Sequence, residues 1–211
     1  MSRPPYAGNN LALHVGDELE SVMENRHQLA TVTGPCEFMV QSHGNTVAVV
    51  DGISRFEPNA DALVTTETGI VLGVFVADCI PLLLWDEIEH VIAAVHVGRK
   101  GLLNGVAIKT LEVMNSMGAN HVQGFLGPSI CGTCYEVGRD VYDEVSQLHP
   151  LARSQTHKGT QSLDLPAALS HQLSNLGVTT TRSPSCTVEN PHFFSYRRDG
   201  LTGRQAGLIW Q

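Results

Sequence analysis

Two imidazoles and one thiol, those of His43, Cys79 and His96, are the side chains with the most chemistry to offer together. Two histidine nitrogens and a thiolate hold zinc tetrahedrally and leave one position for water or substrate, whereas a closed structural site takes a fourth protein ligand. The three lie in separate segments rather than on one turn. Each alone also reads as a packing cysteine or a hydrogen-bonded histidine. Asp78, next to Cys79, is a candidate to orient an imidazole, or simply a strand-end turn residue. A second group is cationic: Ser195-Tyr196-Arg197-Arg198-Asp199-Gly200 is followed by Thr202-Gly203-Arg204-Gln205. Guanidinium groups suit phosphate and carboxylate, and Lys100, shortly after His96, adds a charge nearby; the other reading is a solvated loop paired with surface carboxylates. A third stretch, Gly127 to Gly138, is rich in turn residues and contains Cys131, Cys134 and Glu136. Its CxxC has no second CxxC to complete a zinc ribbon and no thioredoxin-like βαβ context, so a tight structural turn is expected.

These groups need a scaffold. Ile70–Ala77 and Val91–Val95 are nearly continuous runs of Val, Ile and Ala, the pattern of strands buried on both faces. They stop at Asp78-Cys79 and at His96, and polar residues at strand ends stand on rigid elements beside a cleft. Cys36–Gln41 and Thr46–Val50 read as short strands joined through Ser42–Asn45, which carries His43. Further strands are expected over Asp61–Thr66, Val122–Leu126, Val178–Arg182 and Gly207–Trp210. Helical spacing covers Asp17–His27, with Asp17 as N-cap, then Leu102–Met117 and Arg139–Leu148. Another helix opens at Asp164, with Pro166 in its first turn and Gly177 at its end. Strands in runs with helices between them give an α+β or mixed-sheet α/β class. No repeat or linker divides residues 1–211, which read as a single domain.

A net charge of −8 argues against a nucleic-acid or anionic-membrane surface, since both need clustered Lys and Arg. No apolar run is long enough to span a bilayer, and the start has no signal-peptide core. Five cysteines in that setting suggest reduced thiols and a cytoplasmic location.

The segments together resemble the YfiH family, also described as laccase-domain or peptidoglycan-editing-factor proteins. The matching stretches are Gln41-Ser42-His43-Gly44, Ala77 to Leu84, Ala94-Val95-His96-Val97-Gly98, Gly127 to Ile130 with Cys134 to Gly138, and Cys186-Thr187 through Asn190-Pro191. The clearest is Phe194 to Gly200 with Thr202 to Ala206; near the start, Pro5-Tyr6, Asn10-Leu11, Val15-Gly16-Asp17 and Asn25-Arg26 match as well. The resemblance implies a metal, zinc or alternatively copper, on His43, Cys79 and His96. It implies two packed mixed β-sheets flanked by helices, similar to the cytotoxic necrotizing factor catalytic domain. The activity it implies is phosphorolysis of adenosine, inosine, guanosine and methylthioadenosine, with deamination of adenosine. Purine nucleoside and phosphate are then the partners, and Lys100, Arg197, Arg198 and Arg204 the candidates for phosphate. Glu136 or Asp78 would move protons in deamination. The family has also been described as copper polyphenol oxidases and as peptidoglycan-precursor editing factors, and a cysteine hydrolase with Cys79 as nucleophile and His96 as base is a further alternative. One departure stands out: the usual His-Ala-Gly-Trp-Arg-Gly is here His96-Val97-Gly98-Arg99-Lys100-Gly101. The change removes an aromatic that could stack on a base and a bidentate cation.

Overall fold

The computed structural model describes residues Met1–Gln211. After a short 3₁₀ turn comes helix α1 (Leu19–Thr33), followed by strands β1 (Cys36–Glu37), β2 (Val47–Val49), β3 (Ala62–Thr65), β4 (Val71–Val76), β5 (Ile80–Asp86) and β6 (Val91–Val97). Helices α2 (Arg99–Leu103) and α3 (Val106–Ser116) lead to β7 (Gln123–Leu126) and α4 (Arg139–Leu148). The hairpin β8 (Arg153–Gln155) and β9 (Gln161–Leu163) precedes α5 (Leu165–Asn175), β10 (Thr179–Arg182), the short α6 (Tyr196–Asp199) and β11 (Gln205–Ile209).

Two mixed sheets are stacked. The larger runs β10-β7-β5-β6-β3-β2 and the smaller β1-β4-β11, each containing parallel and antiparallel neighbours. Period-two alternation divides the core. Val91, Ala93, Val95 and Val97 of β6 pack with Leu82 and Leu84 of β5 against α3 and α5. Ile92 and Ala94 face the other way, onto Leu72, Val74 and Val76 of β4. His96 shares the parity of Ile92 and Ala94, so its ring falls at the seam between the sheets. The α+β expectation of two packed mixed sheets with helices outside therefore describes the molecule.

Several boundaries differ from the sequence reading. The segments around Cys36 and Val47 do not pair with each other: β1 joins the smaller sheet and β2 edges the larger, so Ser42–Asn45 crosses between sheets and brings His43 to the seam. β5, where the sequence reading expected no strand, lies between β6 and β7 although it contains Pro81, a residue that disfavours a central strand. Its ladder with β7 begins only at Leu82, so the absent Pro81 N–H interrupts no pairing there. The close approach of the Pro81 ring is met by Gly127, where a Cβ would lie 2.7 Å from Pro81 Cγ. Leu102–Met117 divides at Gly105, whose φ of 71° ends one helix and begins the next. Helix α1 starts later and runs further than expected. Glu18 occupies its N-cap position, while Asp17 accepts from the Glu18 N–H and from Asn10.

Candidate metal centre and cleft

Asp61, fully buried just before β3, organises the seam. Its carboxylate accepts the backbone N–H groups of Ser42 (3.3 Å), His43 (2.9 Å) and Gly44 (2.7 Å) and the Ser42 hydroxyl (2.9 Å). This convergence holds His43 at φ 61°, a conformation uncommon for a residue with a side chain. The same carboxylate meets His96 Nδ1 at 2.9 Å, which fixes that ring and leaves Nε2 facing His43 and Cys79. The two imidazoles meet edge to face, with centroids 4.6 Å apart and planes at 80°. The ligating atoms of His43, Cys79 and His96 all lie within 4.8 Å of one another.

The charges suit a cation. Burial alone would push the Cys79 thiol up, but the His43 and His96 rings outweigh it and hold the pKa down at about 6. Burial alone would pull His96 down, but Asp61 and Cys79 raise it to about 9. Asp61 stays well below the usual carboxylate range because hydrogen bonds from His96, Gly44 and Ser42 exceed its desolvation. Both shifts run in the direction that favours a thiolate at Cys79 beside a protonated His96. Gly98 makes room for the trio: a Cβ there would stand 3.0 Å from Cys79 Sγ and 3.3 Å from His43 Cδ2. Two nitrogens and a thiolate, one imidazole already oriented by a carboxylate, fit a borderline-soft divalent ion with an open position on the exposed His43 side.

That side opens into a cleft of about 430 Å³, within the usual range of small-ligand sites. Besides the trio it is lined by His14, Gln41, Phe75, Tyr135, Arg197 and Arg204. Gln41 reaches it by pairing through both amide atoms with the Phe75 backbone, at 2.8 Å each. Arg204 is half-buried, and only its Nη1 is taken, by the carbonyls of Thr202 and Gly203. Arg197 lies 4.9 Å over the Tyr135 ring and donates to the Glu136 carbonyl.

The remaining candidates lie outside the cleft, except Asp78, which lines it in another role. Arg198 donates to the carbonyls of Thr187, Val188, Asn190 and Phe193 and pairs with Asp199 at 2.7 Å, which ties its own loop together. Lys100 is exposed on α2 and does not line the cleft. Neither do Glu136 and Cys134. Asp78 orients no imidazole. It accepts from Thr187 Oγ1 (2.6 Å), Ser195 Oγ (2.7 Å) and the Arg197 N–H (2.6 Å), pinning the C-terminal segment against the seam. Arg99, at the position where the resemblance leads one to expect an aromatic, is not among the residues lining the cleft and pairs with Glu144 at 3.0 Å. Sequence reasoning missed Asp61 and His14. The only trace of Asp61 was a carboxylate opening an apolar strand.

The sequence profile of the family "Multi-copper polyphenol oxidoreductase laccase" matches residues 1–211. A purine nucleoside phosphorylase of Corynebacterium glutamicum is 43% identical, over 100% of this chain and 89% of its own length. The purine nucleoside phosphorylase YfiH of Escherichia coli is 33% identical, with the same coverage of 100% and 89%. Among solved structures, Neisseria meningitidis protein NMB0706 superimposes with a TM-score of 0.91 at 35% identity, covering 100% of this chain and 89% of that one. YlmD from Geobacillus stearothermophilus gives 0.90 at 30% identity, covering 100% and 87%.

Proposed function

The chain belongs to the multi-copper polyphenol oxidoreductase laccase family, which includes the YfiH proteins, and we propose that within it this protein is a zinc-dependent purine nucleoside phosphorylase. The observation that carries the reading is the shared cleft, where the His43, Cys79 and His96 cluster and the guanidinium groups of Arg197 and Arg204 face one space. A divalent ion held by the three side chains supplies a Lewis acid beside the substrate. Arg197 and Arg204 hold phosphate by charge-assisted hydrogen bonds. A phosphate oxygen then attacks the anomeric carbon, the bond to the purine nitrogen breaks, and the base leaves with the bonding pair and takes up a proton. Tyr135 and Tyr196, both at the cleft, offer ring faces for the purine. Holding both reactants in one cavity removes much of the entropic barrier to their encounter.

Adenosine, inosine, guanosine and methylthioadenosine share the purine and the anomeric carbon on which this scheme acts. Deamination of adenosine has less support, because Glu136 lies outside the cleft and Asp78 is engaged by three donors. Zinc is favoured over copper because the trio is a single mononuclear set; the other donor group is made of three cysteines and a glutamate rather than further histidines. The test incubates purified protein with inosine or adenosine and phosphate and follows free base and ribose 1-phosphate, alongside metal analysis. Both products should form, depend on phosphate, and vanish in His43→Ala. Stoichiometric copper with oxidation of phenols, and no phosphate-dependent base release, would overturn the assignment.

A further inference from the structure

Beside the cleft, two short turns of the same construction meet face to face. In Cys131-Gly132-Thr133-Cys134, the N–H groups of Cys134 and Tyr135 both donate to the Cys131 carbonyl at 3.1 Å. In Cys186-Thr187-Val188-Glu189, the Asn190 N–H donates to the Cys186 carbonyl at 3.0 Å. Each turn brings its first and last side chains to one side. Ser129 and Cys186 form a parallel bridge, with Thr187 N–H donating to Ser129 O at 3.1 Å, and this fixes the turns against each other. The Sγ atoms of Cys131, Cys134 and Cys186 and a carboxylate oxygen of Glu189 consequently all lie within 4.8 Å of one another. Glu189 Oε1 is 3.4 Å from Cys134 Sγ and 4.0 Å from Cys131 Sγ. The Cys131 N–H points at Cys186 Sγ from 3.4 Å, the kind of backbone donation that favours a thiolate ligand. The first turn is also seated without slack, since a Cβ on Gly132 would lie 2.8 Å from both Asp164 Cβ and Ser154 Oγ.

We propose that Cys131, Cys134, Cys186 and Glu189 bind a structural zinc ion, separate from the one assigned to His43, Cys79 and His96. Zinc–sulfur bonds of about 2.3 Å place tetrahedral sulfurs roughly 3.8 Å apart, so the observed spacing closes on an ion with shifts of about an ångström. A disulfide would use two of the sulfurs and leave the third thiol and the carboxylate beside it without a role. Four protein ligands leave no open position, which makes the ion a cross-link rather than a catalyst. Its place in the fold gives the cross-link a purpose. The first turn lies between Ile130 and Tyr135, both on the cleft wall, and the second contains Thr187, whose hydroxyl donates to Asp78. The ion would lock the cleft wall to the segment that delivers Arg197.

The test counts zinc in protein purified under reducing, chelator-free conditions. The wild type should carry about two equivalents, His43→Ala and Cys134→Ser about one each, and the double variant none. Because the second ion is also read in the His43→Ala background, failure of one site is distinguishable from failure of the other. If Cys134→Ser does not fold, Glu189→Ala keeps all three thiols, and one of its two equivalents should pass to a competing chelator at least tenfold faster than in wild type. An unchanged zinc count in Cys134→Ser, unchanged release from Glu189→Ala, or a disulfide joining any two of these cysteines in the purified protein would overturn the proposal.

Discussion

Asp61 lies behind the three candidate metal ligands rather than among them, yet it fixes two of the three. It holds the loop of His43 through three backbone N–H groups and the ring of His96 through Nδ1. Asp61→Asn cannot accept from all these donors at once. Zinc affinity, measured by chelator competition, should fall about 10- to 100-fold. The charges of Cys79 and His96 make a second expectation. Cys79, held at about 6, is already thiolate at neutral pH, whereas His96, raised to about 9, still carries its proton. Zinc uptake at pH 7.5 should therefore release about one proton, and none above about pH 9. Calorimetry in buffers of different ionisation heat measures this number; no release at pH 7.5 would contradict it. At this scale the sequence singled out His43, Cys79 and His96, whose ligating atoms the fold brings within 4.8 Å of one another. It was silent on Asp61, whose role depends on a partner in β6. It also could not separate Arg197 and Arg204, which face the cleft, from Arg198, which serves four carbonyls.

Elements were legible where apolar periodicity was strong. β4, β6 and α4 lie close to where the pattern put them, and Asp164 caps α5 by accepting from Ala167 N–H at 2.8 Å. They were illegible where one residue contradicts its neighbours. Pro81 hid the central strand β5, and Gly105 divides a segment whose apolar spacing continues across it. Asp86, at the end of β5, gives this scale its prediction. It is buried and accepts from the backbone N–H groups of Ile88, Glu89, Asn120 and His121, so it ties the β5–β6 turn to the entrance of β7. Burial alone would raise its pKa, but these four donors hold it at about 2. Its stabilising contribution is complete above about pH 4 and is lost as the pH falls towards 2, because a depressed carboxylate must protonate as the fold opens. Asp86→Ala leaves four donors without their acceptor and should cost about 3 kcal/mol in urea unfolding at pH 7. The loss should shrink in acid.

Across the whole molecule, the cleft depends on joining distant parts of the chain. Asp78, at φ 94°, receives the hydroxyls of Thr187 and Ser195 and the N–H of Arg197, and β11 pairs antiparallel with β4. Asp78→Asn keeps a residue that tolerates positive φ but weakens this clasp. Exchange and proteolysis between residues 186 and 204 should rise and KM for phosphate should increase several-fold, while the metal stays bound. Unchanged protection there would contradict the role given to Asp78. This closure was not visible in the sequence, because the smaller sheet is built from β1, β4 and β11, which come from opposite ends of the chain. The same arrangement sets an order of events during synthesis. A ribosome delivers His43, Cys79 and His96 well before Arg197 and Arg204, and the partner strand of β4 is complete only at Ile209. If the proposed function holds, the growing chain carries its metal ligands before it has a cleft, and the guanidinium groups assigned to phosphate arrive just before the final strand.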